Sequence, residues 1–245
     1  MALVLVVALA CASLSTHWAV ERRRLRFFIG GLGSLPRDPR ELALELGGLF
    51  FVRLRRLDDD PPYLFSALSP LGATPSSVIH HGGCCSGISR LYILCLSVLE
   101  TYSHQITVYH VAGSAQHCLV EVRLPDGPLI VDPLYGLQYT DETGGPIGLE
   151  HLQAGQTPRF VPLPHSDRFE YPRTEYYDFD FARSKTANWT KSWYRRAGYR
   201  LLVAATRGRI DRLRLPVSLE WPQVLLGLLL SAVVTSVGAL AAVLR

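Results

Sequence analysis

Three side chains in the middle of the chain have the types and the order that a cysteine nucleophile requires. Cys85 follows Gly82-Gly83-Cys84, and His117 stands in Gln116-His117-Cys118-Leu119-Val120-Glu121-Val122. Asp132 closes the run Leu129-Ile130-Val131 and is followed by Pro133. A thiol attacks a carbonyl well only as a thiolate, and an ordinary cysteine has a pKa near ~8.5. The positive end of a helix and an adjacent imidazolium each lower that value. A histidine can supply the imidazolium. A carboxylate on the far ring nitrogen can fix its tautomer and orientation.

The neighbouring residues predict elements that would position these groups. Gly82-Gly83 interrupts the chain, after which Ile88, Leu91, Tyr92, Cys95, Leu96 and Leu99 fall at helical spacing. Cys85 is therefore expected in the first turn of a buried helix. The unpaired N–H groups of that turn could hold the oxyanion of a tetrahedral intermediate. Gln105 to Val111 and Gln116 to Leu124 read as strands joined at Ala112-Gly113-Ser114, with Leu129 to Val131 as a third. Strand alternation puts His117, Leu119 and Glu121 on one face and Cys118, Val120 and Val122 on the other. His117 is then expected to face the thiolate while Cys118 packs into the core. One helix on an antiparallel sheet gives an α+β layout.

The stretch from His80 to Gly136 resembles the transglutaminase-like superfamily of cysteine enzymes, a papain-related fold. Gly83-Cys84-Cys85 with Ser89 fits the family's Gly-x-Cys, with a small residue four positions on. His117, Val120, Glu121 and Val122 fit its His-x-Trp-Val-Glu-Val. Asp126-Gly127 and Asp132 fit its Asp-Gly-x-Trp and later aspartate. The resemblance implies that Cys85 is the nucleophile, His117 the base and Asp132 the orienting acid. It implies an acyl-transfer or amide-cleaving enzyme that acts on a protein or peptide amide and needs no cofactor. Both family tryptophans are leucines here, Leu119 and Leu129, which alters the wall of the substrate groove.

Other readings of the same residues compete. Cys84 is the rival nucleophile, and Cys95 and Cys118 are expected in the core. Zinc is disfavoured because no C-x-x-C pair is present and adjacent His117 and Cys118 do not easily point at one metal. His80 and His81 are expected to be structural or solvent-facing. Asp58-Asp59-Asp60-Pro61-Pro62 reads as a solvated turn. A chain that keeps the fold but not the chemistry would be a binding or scaffold protein at the membrane.

The chain has 245 residues, of which 48% are hydrophobic and 19% charged. Its mean hydropathy is +0.16, and the apolar excess sits at the two ends. A net charge of +4, scattered and without an aromatic-and-basic signature, argues against nucleic acid as a partner. Five cysteines, one of them in the first apolar segment, do not read as a disulfide framework. Residues 1–20 are expected to form a transmembrane helix or signal anchor, followed by a basic juxtamembrane segment and N-terminal lobe over 21–74. The catalytic core is placed at 75–140 and an aromatic-rich extension at 141–221. A second transmembrane helix is expected over 222–244. Within these, Asp38 and Pro39 should open a short helix, Phe50 to Leu57 reads as a strand, and Gln138 to Pro164 as surface loop. The aromatics between Glu170 and Trp193 are expected to pack on the core, and Ser192 to Thr206 to be helical. Arginines at 22, 23, 24 and 26, and again at 207, 209, 212 and 214, place the catalytic domain on the cytoplasmic side. The periplasmic or extracellular side is the alternative.

Overall fold

A computed structural model describes residues 2–58, 73–166, 179–186, 193–212 and 216–243. In chain order the elements are α1 (Ala2–Gly30), α2 (Pro39–Arg53), α3 (Pro75–His81), α4 (Cys85–Val98), β1 (Ser103–His110), β2 (Ala115–Leu124) and β3 (Gly127–Asp132). There follow β4 (Leu137–Thr140), α5 (Leu149–Gln153), β5 (Arg159–Pro162), β6 (Phe179–Lys185), α6 (Trp193–Thr206) and α7 (Pro222–Val243). The six strands form one sheet in the order β5-β4-β3-β2-β1-β6, and every pairing is antiparallel.

The sheet has an apolar cluster on each face. On one face Val120, Val122, Leu129 and Val131 pack with Ile88, Leu91, Tyr92 and Cys95 of α4 and with Leu25, Leu46 and Phe50 of α1 and α2. On the other, Ile106, Leu119, Ile130 and Tyr139 pack with Leu149 and Leu152 of α5. The alternation of β2 is thus used on both sides: even-numbered positions meet the helices and odd-numbered ones the second core. Tyr92 donates its buried hydroxyl to the carbonyl of Ala43, 2.7 Å away, fastening α4 to α2.

Several sequence expectations are met. Asp38 caps α2, accepting from the backbone N–H groups of Arg40 and Glu41, and Pro39 opens the helix. The expected strands over 105–111, 116–124 and 129–131 are β1, β2 and β3 within a residue or two, and the helix expected over 192–206 is α6. Cys95 and Cys118 are buried. Two expectations change. Phe50 to Leu57 is not a strand: Leu46, Phe50 and Leu54 repeat every four residues and are all buried, so α2 continues to Arg53. Only Arg56 then pairs, as a single parallel bridge to Gly83. The 138–164 region is not simple surface loop, because Leu137, Tyr139, Ile147, Leu149 and Leu152 are buried in β4, α5 and their connection. Its turn residues belong to tight links between short elements. The segment before Cys85 is partly helical, as α3, with Thr74 accepting from the Ser77 N–H as its cap.

Of the two spanning helices expected, one has the length and composition of a candidate span. Among the described residues, 222–239 of α7 is long and apolar enough to cross a membrane. The first apolar segment does not stop at residue 20. It continues as one helix through the basic block to Gly30, and its inner half joins the core through Leu25 and Ile29. Buried Glu21 accepts from the Ser76 N–H at 2.9 Å, tying α1 to the start of α3. Asp59 to Pro62, the aromatics of 170–178 and Trp189 lie outside the described residues.

Candidate functional site

Cys85 is the first residue of α4, and Cys84 is its cap residue, with extended backbone and no side-chain capping hydrogen bond. The turn before them is held by the segment that follows α2. Gly83 N–H donates to the Arg55 carbonyl at 3.0 Å, and Leu57 N–H donates to the Gly83 carbonyl at 3.1 Å. Gly82 has φ +88°, and a Cβ there would lie 2.2 Å from the Arg55 carbonyl oxygen. Glycine at 82 is therefore required both by the backbone conformation and by the close approach.

His117 and Asp132 come together through the register of β2 and β3. Val120 faces Val131, so Asp132 and His117 fall diagonally on one face of the sheet. His117 Nε2 lies 2.7 Å from Asp132 Oδ2, and the two side chains are 5% and 0% exposed. The other carboxylate oxygen, Oδ1, accepts from the Leu134 and Tyr135 N–H groups, each at 3.0 Å. Asp132 is thus fixed by its own turn before it fixes the imidazole. Since Nε2 is occupied by Asp132, Nδ1 is the ring nitrogen left for the thiol of Cys85, with which His117 is hydrogen-bonded. The rings of Tyr135 and Phe179 flank the imidazole, with centroids 5.2 and 6.1 Å away.

The electrostatics of the pair are unequal. Burial opposes a charge on His117, but the Asp132 carboxylate and the hydrogen bonds with Asp132 and Cys85 hold its pKa well above the ordinary imidazole value. The Cys85 thiol is raised as well. Its largest perturbation is the thiol of Cys118, which raises it; Cys84 lowers it, burial raises it, and the hydrogen bond to His117 lowers it.

All three residues singled out from the sequence, Cys85, His117 and Asp132, therefore meet in one place. Cys84 stands beside them, its Sγ 3.3 Å from Ser86 Oγ. His80 and His81, at the end of α3, are exposed. Cys118 departs from expectation. It is buried as anticipated, yet its thiol also touches Cys85 and accepts from Gln105 Nε2 at 3.0 Å. The α4 side of β2 is the side on which the helix start lies, so an inward-facing residue at this position reaches the nucleophile turn. Gln105, Tyr135 and Phe179 were not singled out individually. Tyr135, three residues after Asp132, is set by the same turn, and Phe179 belongs to the aromatic-rich stretch.

Among the described residues no group of histidines, cysteines and carboxylates is arranged to hold a metal ion. The comparisons give no relative from which roles could be transferred: no family model, no curated protein and no solved structure matches the chain.

Proposed function

We propose that this protein is a membrane-anchored cysteine enzyme of transglutaminase-like type that cleaves or transfers an amide-linked acyl group. The observation that carries the reading is the position of His117, which bridges Asp132, at 2.7 Å, and the thiol of Cys85. In this reaction Cys85 Sγ attacks the amide carbon and passes its proton to His117. The backbone N–H groups at the start of α4 face the developing oxyanion. His117 then protonates the amine as the C–N bond breaks, leaving a thioester on Cys85. Water or an acceptor amine, deprotonated by His117, releases the acyl group. Asp132 holds His117 in one tautomer throughout. The substrate class is a protein or peptide amide. The chain is held to the bilayer by α7, with the apolar half of α1 as a second membrane helix, and the catalytic domain faces the cytoplasm.

The elevated Cys85 thiol supports a second reading, in which the fold is kept as a binding scaffold and the triad is silent. A thiol-directed activity probe on the reduced protein separates the two. Labelling at Cys85 that disappears in His117→Ala supports the enzyme. No labelling under reducing conditions supports the scaffold.

A further inference from the structure

The segment after α2 brings a cation to the edge of the candidate site. Arg56 pairs with Gly83 in a parallel bridge, and the bonds from Gly83 N–H to the Arg55 carbonyl and from Leu57 N–H to the Gly83 carbonyl flank it. Its main chain is therefore fixed beside the turn that presents Cys85. Its side chain lies over two aromatic rings. The guanidinium carbon is 4.6 Å from the centre of the Phe51 ring and 5.6 Å from that of Tyr135. Tyr135 in turn stands against the His117 imidazole, with centroids 5.2 Å apart. Phe51 rests on the same turn: a Cβ on Gly136, whose φ is +67°, would come 2.8 Å from the Phe51 ring. Glycine at 136 lets that ring lie on the loop that carries Asp132 and Tyr135.

Arg56 is exposed, and among the described residues no carboxylate pairs with its guanidinium. Asp132 is buried and committed to His117 and to its own turn. Ring faces attract a cation without occupying its N–H donors, and the planar fork of a guanidinium is matched by a carboxylate. The side of the site is set by the order of contacts, from buried His117 through half-buried Tyr135 to exposed Arg56. In the proposed reaction His117 protonates the leaving amine, so the groups beyond His117 face the amine half of the substrate. We propose that Arg56 selects amides whose leaving amine carries a carboxylate, either the α-carboxylate of a terminal amino acid or an acidic side chain next to the scissile bond. This rests on the reading of Cys85, His117 and Asp132 as a working triad.

The test uses the full chain purified in mild detergent, with Cys84 replaced by alanine so that peptide mass spectrometry reads alkylation at Cys85 alone. Three reagents are compared: N-iodoacetylglycine, the N-iodoacetyl derivative of aspartic acid α-amide, and neutral N-iodoacetylglycinamide. Each rate is divided by the rate with glutathione, which removes the reagent's own reactivity. Cys85 is expected to favour an acidic reagent over the neutral one. Arg56→Gln should cut that preference by about fivefold, the upper worth of one exposed ion pair. His117 is present in both proteins, so its charge cancels from the comparison. Arg56→Lys should keep part of the preference, and added salt should weaken it in the parent protein. The better of the two acidic reagents tells a terminal α-carboxylate from an acidic side chain. No preference in the parent protein would overturn the proposal. So would an equal preference in Arg56→Gln, including one in which all three rates fall together, which would make Arg56 a support of the turn. The triad is read separately from the neutral reagent: a rate at Cys85 that ignores His117→Ala would overturn the enzyme reading, whatever Arg56 does.

Discussion

Cys85 is pulled in two directions by its neighbours. Cys118 raises its thiol, while Cys84 and His117 lower it. Removing Cys118 removes the largest of these effects. Cys118→Ala should therefore move the alkylation of Cys85 by iodoacetamide to lower pH, with the rate at neutral pH rising several-fold, and a pH–rate profile reads this directly. An unchanged profile would mean that the two thiols do not interact. Cys85→Ala should abolish turnover in folded protein, whereas Cys84→Ala should keep most of it; the opposite pattern would move the nucleophile by one residue. His117→Ala should cost about 10²–10⁴-fold in rate, the usual worth of a positioned acid–base group. Asp132→Asn should cost less, since the base is then misoriented rather than lost. His117 also leaves a mark on stability. Its pKa in the folded protein is raised, so its contribution is complete below the unfolded value of about 6.5 and is lost as pH rises through the folded one. Denaturation midpoints of wild type should fall over that alkaline window, and those of His117→Ala should fall less.

At the scale of elements, the turn before Cys85 depends on a chain segment far from it in sequence. The Arg55 carbonyl lies against Gly82 and accepts from Gly83. Gly82→Ala forces both a left-handed alanine and a clash with that carbonyl, so it should cost more than the ~1–3 kcal/mol of backbone strain alone. Loss of probe labelling at Cys85 should accompany the drop in melting temperature. Asp38→Ala, which removes only a cap, should cost about 1 kcal/mol and leave labelling intact. The two sites differ in how they could be read from sequence. Asp38-Pro39 is a local signal, and so is the apolar period of α4; both were legible because neighbours in sequence decide them. The diagonal placement of His117 and Asp132 was legible too, because strand alternation and one tight turn fix it. The contact of Cys118 with Cys85 was not, since alternation states which face a residue takes but not which part of a helix lies over that face. β4, α5 and β5 were hidden for a related reason. Elements of four or five residues carry too few apolar positions for a period to emerge between their turns.

At the scale of the whole molecule, α1 and the start of α7 meet each other and α4. Trp18 of α1 packs edge-on against Trp221, just before α7, at 6.2 Å, and His17 Nδ1 lies 2.7 Å from Gln223 Nε2. Glu220 reaches Arg90 of α4 at 3.2 Å. The start of α7 is thus bound to the same body as the candidate site, so on the proposed membrane reading the side on which α7 begins is also the side of Cys85. The arginines at 22–26 and 207–214 lie on the domain side of both apolar segments, within the ~15–20 residues over which basic charge orients a helix. A thiolate nucleophile survives better in a reducing compartment. The domain is therefore expected in the cytoplasm, with both termini outside. Glu142 is exposed in the turn after β4, and Glu142→Cys, in a chain with Cys11, Cys84 and Cys85 replaced by alanine, provides a single accessible reporter. A membrane-impermeant maleimide applied to intact cells should leave it unlabelled and should label it after permeabilisation. Labelling before lysis would put the domain outside, which would mean that the α7 end of the chain is oriented against its basic flank.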